Sequence, residues 1–340
     1  MKIILDAMGT DDHPIPEIEA AAQASMEWPE EIVLVGQEDL LRSELEKRSY
    51  QDLEIEVVHA PEVLSMSDRP ADTARGKARS SMAVGIQLVR EGRGDAFVTL
   101  GNAGGVMANS LFILGRIRGV RRPALSYPFP TRESPVVVLD IGVNADAKPE
   151  YLVQFGQMGS VYAEKILGVD NPRVAILSNG EEAGKGNMLV KESYPLLEKA
   201  VPNFIGNVEA KEVYQGVADV VVTDGFTGNV FMKTSEAVAT FLVDLLKNEI
   251  LASRRTMIGG ALVRPAFERV RPILDASEHG AGVLLGVNGV VLIGHGRYGS
   301  RGVYSSIRAA RRAVENELLD AVRASIPSKV QLSADKRATL

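Results

Sequence analysis

The stretch Ala218-Asp-Val-Val-Val-Thr-Asp-Gly-Phe-Thr-Gly-Asn-Val-Phe-Met-Lys-Thr-Ser-Glu236 runs from an apolar, β-branched segment through a glycine-bearing turn into a helical pattern. It predicts a buried strand whose end delivers Asp224 to the rim of an α/β sheet, where crevices open. Glycines in such a turn permit positive φ and let a ligand approach the backbone. The N–H groups of a helix's first turn lack intrahelical acceptors and favour an anion, which makes Gly228 and Asn229 candidate phosphate contacts.

The same grammar recurs three times. Asp95-Ala-Phe-Val-Thr-Leu-Gly-Asn-Ala-Gly-Gly105 ends a strand at Gly101 and Asn102 and opens a helix through Gly104. Arg173-Val-Ala-Ile-Leu-Ser-Asn-Gly-Glu-Glu-Ala-Gly-Lys-Gly-Asn187 delivers Glu181, Glu182, Lys185 and Asn187 into a glycine-rich loop. Leu5-Asp-Ala-Met-Gly-Thr-Asp11 follows the first strand and supplies Asp6 and Gly9. Four strand ends with glycine, amide and acidic side chains point to one composite ligand site. His295, between Gly294 and Gly296 after an apolar run, reads either as a phosphate or carbonyl contact or as a capping histidine.

Working outward, strands are expected near 2–6, 31–35, 54–58, 95–100, 135–140, 172–178, 218–223 and 289–294. Helices are expected over 15–27, 38–48, 72–91, 105–116, 149–167, 189–200, 228–251 and 303–324. Alternation of this kind gives an α/β fold, Rossmann-like and layered α/β/α, with a mostly parallel sheet. Residues 1–327 read as one large domain and the polar stretch 328–340 as a mobile tail. Residues 250–276 depart from the alternation. There Met257, Ile258, Leu262 and Val263 are interspersed with Arg254, Arg255, Arg264, Arg269 and Arg271, and Gly259-Gly260 and Pro265 interrupt the helical pattern. This segment is expected to be a protruding helical hairpin, serving as a dimer seam or as a membrane-surface tip.

Composition narrows the function. The 340 residues are 45% hydrophobic, enough for a large core. With no cysteine, disulfides, thiolate metal sites and a cysteine acyl-enzyme are excluded. A net charge of −6 argues against nucleic-acid binding. The opening Met1-Lys-Ile-Ile-Leu-Asp6 reads as a strand and not a signal peptide, and no apolar run reaches the ~20 residues that span a bilayer, so a cytoplasmic protein is expected.

Gly180-Glu-Glu-Ala-Gly-Lys-Gly186 is one residue short of a P-loop, and Gly186 stands where a magnesium-binding hydroxyl belongs. The first turn lacks a dinucleotide fingerprint. His13, His59, His279 and His295 are too dispersed for a metal motif. No cofactor and no metal are expected. Asp11, Asp12 and His13 ahead of Pro14 read as a charge relay or as ordinary cap chemistry.

An ordered set of motifs resembles a known family, the bacterial phosphate acyltransferases of phospholipid synthesis (PlsX). It comprises Asp6-Ala-Met-Gly9, Arg75, Ser80-Ser-Met82, Gly101-Asn102, Leu111-Phe-Ile-Leu-Gly-Arg116, Lys148-Pro-Glu150, Gly180-Glu-Glu182, Lys185-Gly-Asn187, Asn203-Phe-Ile-Gly-Asn-Val-Glu209, Asp224-Gly-Phe-Thr-Gly-Asn229 and Gly294-His-Gly296. The chain departs from the family at Met8-Gly9-Thr10-Asp11-Asp12, where the common turn is Met-Gly-Gly-Asp-His, and at Gly101-Asn-Ala-Gly-Gly105, which lacks the usual threonine.

The resemblance implies transfer of a fatty acyl group from acyl carrier protein to inorganic phosphate, giving acyl phosphate for a membrane glycerol-3-phosphate acyltransferase. It also implies a fold like that of the isocitrate-dehydrogenase and phosphotransacetylase group, a homodimer, and peripheral association with the inner face of the membrane. Alternative readings are a phosphotransacylase using acyl-CoA and a catalytically silent membrane scaffold. Phosphate is already a nucleophile, so the protein's tasks are to desolvate and orient it and to stabilise the oxyanion. Lys185 is the residue expected to stabilise charge. Asp224 is expected to accept a proton or to orient Lys185. Arg254, Arg255, Ile258, Leu262 and Arg264 are the expected membrane or partner contacts.

Overall fold

The computed structural model describes residues 1–69, 76–131, 133–274 and 280–326, with the backbone alone for 271–274. Arg75, His279, the side chain of Arg271, the hairpin's expected last residues 275–276, position 327 and the expected tail 328–340 lie outside the described residues. In chain order the elements are β1 (Lys2–Asp6), α1 (Ile15–Glu27), β2 (Glu31–Gly36), α2 (Glu38–Lys47), β3 (Ile55–His59), α3 (Ser81–Arg90), β4 (Ala96–Thr99) and α4 (Ala103–Ile113). Then come β5 (Ala124–Phe129), β6 (Val136–Leu139), α5 (Pro149–Tyr162), β7 (Val174–Leu177), α6 (Met188–Ala200), β8 (Phe204–Val208), α7 (Ala210–Gln215) and β9 (Val220–Val222). The last are α8 (Gly225–Leu251), α9 (Arg254–Leu274), β10 (Gly282–Leu285), β11 (Val290–Ile293), α10 (Ser300–Glu315) and α11 (Leu318–Ser325).

The strands form one sheet in the order β3-β2-β1-β4-β11-β10-β5-β6-β9-β7-β8. Within β3 to β11 and within β6 to β8 every pairing is parallel. The three central pairings, β11–β10, β10–β5 and β5–β6, are antiparallel, so the two parallel blocks run in opposite directions. This is the mostly parallel α/β architecture that the alternation predicts. Central strands such as β6 and β9 are buried along their whole length, which accounts for their unbroken runs of valine.

All eight expected strands are present, and three more, β5, β8 and β10, are not evident in the pattern. Pro128 lies within β5 and reads as a strand breaker, yet β10 pairs only with Ala124 and Leu125, so the proline falls beyond that ladder. Edge strand β8 carries Gly206 at φ 103 beside a register shift in its pairing with β7. Strand β10 is only four residues long. The single helix expected over 303–324 is two, parted at Glu317, whose φ of 53 ends one and opens the other.

Helices α8 and α9 form a hairpin whose turn is Ala252–Ser253, earlier than the glycine-centred tip expected from the sequence. Ser253 and Thr256 close the turn reciprocally: each accepts the other's backbone N–H on its hydroxyl, at 3.1 and 3.2 Å. Helix α9 runs unbroken through Gly259, Gly260 and Pro265. The glycine serves packing and not a break, since a Cβ on Gly260 would lie 2.5 Å from Ile250 Cγ2 of α8.

Candidate active site

Polar turns gather at the carboxyl ends of both parallel blocks. In the first block, Asp6 closes β1 and is buried. Its carboxylate accepts the Met8 N–H at 3.1 Å and the Thr99 hydroxyl at 2.7 Å, with Ser81 also bonded to it. Burial pushes the Asp6 carboxyl up from its ordinary value, and these hydrogen bonds offset part of the rise. Asp6 therefore ties β1 to β4 and shapes the turn, and its carboxylate is spent inside the protein. Gly9 is a glycine for space: a Cβ there would lie 2.8 Å from the Leu100 amide nitrogen.

Asn102, expected to contact ligand, is an N-cap. Its Oδ1 accepts the Gly105 N–H at 3.0 Å, while its Nδ2 donates to the carbonyls of Ser65, Met66 and Asp68. The side chain pins the loop over 65–68 to the start of α4. That leaves the N–H groups of Ala103 and Gly104, by their place in the first turn, as the donors at this helix end.

Against the turn after β1 packs a residue the sequence reading missed. Glu17 of α1 is fully buried; one oxygen accepts the Thr10 N–H at 2.8 Å, and the other has no hydrogen-bond partner. Burial pushes its carboxyl up to about 7. His13 donates from Nδ1 to the Thr10 carbonyl at 2.7 Å, so it too serves the turn. Thr10 in place of a glycine was the available signal, and only the fold shows which acid lies beneath it.

In the second block, Asp224 caps α8, accepting the Thr227 N–H and the Thr227 hydroxyl, both at 2.8 Å. The expectation that backbone N–H groups at Gly228–Asn229 face a ligand is corrected for Gly228. The Gly225 N–H goes to the Asn144 carbonyl and the Gly228 N–H to the Asp224 carbonyl, so the first-turn donors named here are spent internally. Gly228 is required sterically: a Cβ would lie 1.9 Å from the Asp140 carbonyl oxygen.

Asp140, at the end of β6, is fully buried and organises this turn. It accepts N–H groups from Leu125, Gly142, Val143 and Asn144 together with the Asn144 side-chain amide. Burial raises its carboxyl above the ordinary value in spite of those bonds. The signal for it was Asp140-x-Gly142-x-Asn144 immediately after a strand. Gly142, at φ 145, leaves room for the Asn229 side chain, whose Nδ2 would be 2.6 Å from a Cβ there.

The third glycine loop follows β7. Asn187 caps α6 by accepting the Val190 N–H at 3.0 Å, and Asn179 Oδ1 accepts the Gly186 N–H at 2.9 Å. Lys185 is exposed, its stem passing over Gly180. Lys211 pairs with Glu181 at 3.1 Å and with Glu209 at 2.7 Å, and among the described residues Lys185 forms no ion pair. The loop and the α8 turn meet at one cavity of about 460 Å³, where Ser178, Gly186 and Asn187 stand opposite Asp224 and Thr227.

A second, open groove of about 470 Å³ runs along α8 past Asn229, Lys233, Thr234 and Ala237 to Phe241. His295, at the end of β11, lies in the field of Lys233 and Glu236 from α8 and of Asp11 from the first block. The Asp11 N–H in turn donates to the Gly296 carbonyl at 2.8 Å. Charged side chains of α8 thus act electrostatically on the His295 turn of the first block. Burial, with the neighbouring Arg297 guanidinium, holds His295 below the usual imidazole value, so the ring is neutral at neutral pH. Among the described residues no group of three or more His, Cys, Asp or Glu side chains could hold a metal ion.

The hairpin carries the remaining candidates. Ile258 and Leu262 are 67% and 78% exposed, one and two turns above Arg254 and Arg255 at the hairpin's end. Arg264 pairs with Glu268 at 2.8 Å on the same helix. No described helix is long and apolar enough to cross a membrane.

Comparison with known proteins shows the family. Residues 1–320 match the model of a family described as fatty acid synthesis protein. The chain is 46% identical over 320 residues to a phosphate acyltransferase of Dictyoglomus turgidum, covering 94% of this chain and 95% of that protein. It is 44% identical over 328 residues to a phosphate acyltransferase of Pelotomaculum thermopropionicum, covering 96% of each. Among solved structures it is similar to a phosphotransacetylase from Streptococcus pyogenes, with a TM-score of 0.64, 17% identity and coverage of 93% and 94%. A branched-chain phosphotransacylase from Enterococcus faecalis gives a TM-score of 0.54 at 14% identity, covering 92% and 99%. The fold expected from the sequence is therefore that of the phosphotransacetylases.

Proposed function

The chain belongs to the phosphate acyltransferase family, and we propose that it moves a fatty acyl group from the thioester of acyl carrier protein to inorganic phosphate, forming acyl phosphate for phospholipid synthesis. The observation that carries the residue-level reading is the meeting of two helix caps, Asn187 and Asp224, and the Lys185 loop at one cavity. The neighbouring groove supplies Lys233 and the Asn229 amide, and a neutral His295 lies in the field of Lys233. These groups suit a phosphate anion better than the first-turn N–H groups of α8 do.

In this reading a phosphate oxygen attacks the thioester carbonyl carbon and a C–O bond forms. The carbonyl oxygen becomes an oxyanion, which the Lys185 ammonium stabilises. The C–S bond then breaks and the thiolate leaves with the carrier, taking up a proton. Asp224 keeps acceptor capacity beyond its two bonds to Thr227, enough to hold the proton of hydrogen phosphate or to orient Lys185. No side chain need be acylated.

The hairpin reads as the assembly and delivery element. Phe241, Leu242, Leu245 and Leu246 on α8 leave an apolar face too extensive for a lone helix pair in water, which suits a homodimer seam. The turn at 252–253, with Arg254 and Arg255 beside it and Ile258 and Leu262 above, suits contact with an anionic membrane surface. Delivery there would hand acyl phosphate to a membrane glycerol-3-phosphate acyltransferase before water hydrolyses it. Incubating the pure protein with phosphate and either palmitoyl–acyl carrier protein or acetyl-CoA tests the donor. Acyl phosphate from the first and little from the second is expected; the reverse would assign it to the acyl-CoA phosphotransacylases.

A further inference from the structure

We propose that the cavity beside Asp224 is the seat of the substrate's alkyl chain and sets the chain length the enzyme accepts, an inference that rests on the acyl-transfer reading above. Its walls decide what can enter. Leu152, Ile176, Val190 and Phe231 line it, and the first two are essentially without solvent exposure. Asp224 is the one ionisable side chain among the lining residues, so a phosphate dianion would meet apolar walls and a like charge there.

A thiol arm with amide groups fits poorly as well. Part of the polar edge is committed, Asn187 Oδ1 to the Val190 N–H and Asn179 Oδ1 to the Gly186 N–H, while Ser178 Oγ has no hydrogen-bond partner and Asp224 keeps spare acceptor capacity. Amides of the arm carried deeper would lie against the apolar side chains of Leu152 and Ile176, at a cost that an alkyl chain does not incur. The volume of about 460 Å³ lies within the ~300–1,000 Å³ usual for small-molecule pockets and is about three times the ~150 Å³ cavity that takes benzene.

Position agrees with the chemistry. Val230 lines both this cavity and the groove that holds Asn229 and Lys233. A thioester carbonyl at the first turn of α8 would therefore have its alkyl tail in the cavity and phosphate on the groove side, with Gly186 of the Lys185 loop on the cavity wall. Ala210, exposed at the start of α7, also lines the cavity, so a ring added there can fill space without displacing the core.

The test is the chain-length profile of kcat/KM for donors from butyryl to stearoyl, in the wild type, Ala210→Phe and Val190→Ala. Each methylene that enters the cavity should raise the wild-type value about fourfold until the cavity is full, after which it levels off. Ala210→Phe should move the plateau to shorter chains, lowering the longest donors tenfold or more while butyryl turnover stays within twofold. Val190→Ala should move it the other way by one or two carbons, and serves as the reading if Ala210→Phe fails to fold. A flat wild-type profile, or a uniform loss on all donors in the filled variant, would overturn the proposal; the uniform loss would assign the cavity to the thiol arm. Absence of acyl phosphate from every donor would remove the acyl-transfer reading itself, and this inference with it.

Discussion

Gly228 packs against Asp140 so closely that a Cβ at Gly228 would stand 1.9 Å from the Asp140 carbonyl oxygen. This contact seats the first turn of α8 on the end of β6, and it fixes where Asp224 and Asn229 face. Gly228→Ala must therefore push α8 outward. A loss of about 1–3 kcal/mol in stability is expected, as for other overpacked sites, with activity lost beyond what the unfolded fraction explains. Thermal melts and kcat/KM on the folded fraction check it; a variant that melts like the wild type would contradict the contact.

Lys185→Ala and Asp224→Asn should each lower acyl-phosphate formation by roughly two orders of magnitude or more, the usual cost of a lost charge-stabilising group. Asparagine caps helices nearly as well as aspartate, so Asp224→Asn should keep the α8 cap and melt near the wild type. A folded Lys185→Ala protein with near-normal turnover would rule out its role.

Glu17 makes the stability depend on pH in a defined direction. Its carboxyl is raised from 4.5 to about 7, so the folded state holds a proton that the unfolded chain releases. The contribution is fully present below pH 4.5 and is lost as pH rises to about 7, amounting to about 3 kcal/mol over the window. Glu17→Gln, which cannot ionise, should gain stability relative to the wild type as pH climbs through that range. Melting both proteins at several pH values reads the difference directly; parallel curves would refute a buried, proton-holding Glu17.

The hairpin prediction concerns Ile258 and Leu262. Replacing both with Ser should weaken the sedimentation of the protein with anionic liposomes while leaving turnover in solution largely intact. Size-exclusion chromatography separates this from a dimer seam, which the same change would dissociate. A dimeric variant that sediments like the wild type would sink the membrane contact.

What the sequence could reveal followed from local pattern. The β-branched runs located the parallel strands, and the glycine turns located Asp224, Asn187 and Asn102 at strand or helix ends. Long-range partners were beyond it. Nothing local distinguishes Asn102 as a cap and loop anchor from Asn102 as a ligand contact, because Ser65, Met66 and Asp68 reach it only in the folded chain. Glu17 and Asp140 escaped notice for the same reason: each is defined by burial. Strand β5 was hidden by Pro128, and α9 seemed broken because Gly260 serves a helix crossing.

The central claim is direct attack by phosphate, with no acylated side chain. Its sharpest test is a single-turnover experiment with enzyme in excess over palmitoyl–acyl carrier protein, following thiol release with and without phosphate. The account predicts no thiol release in the absence of phosphate, and one equivalent of thiol with one of hydroxylamine-trappable acyl phosphate in its presence. A stoichiometric burst of thiol without phosphate would reveal an acyl-enzyme and contradict the account.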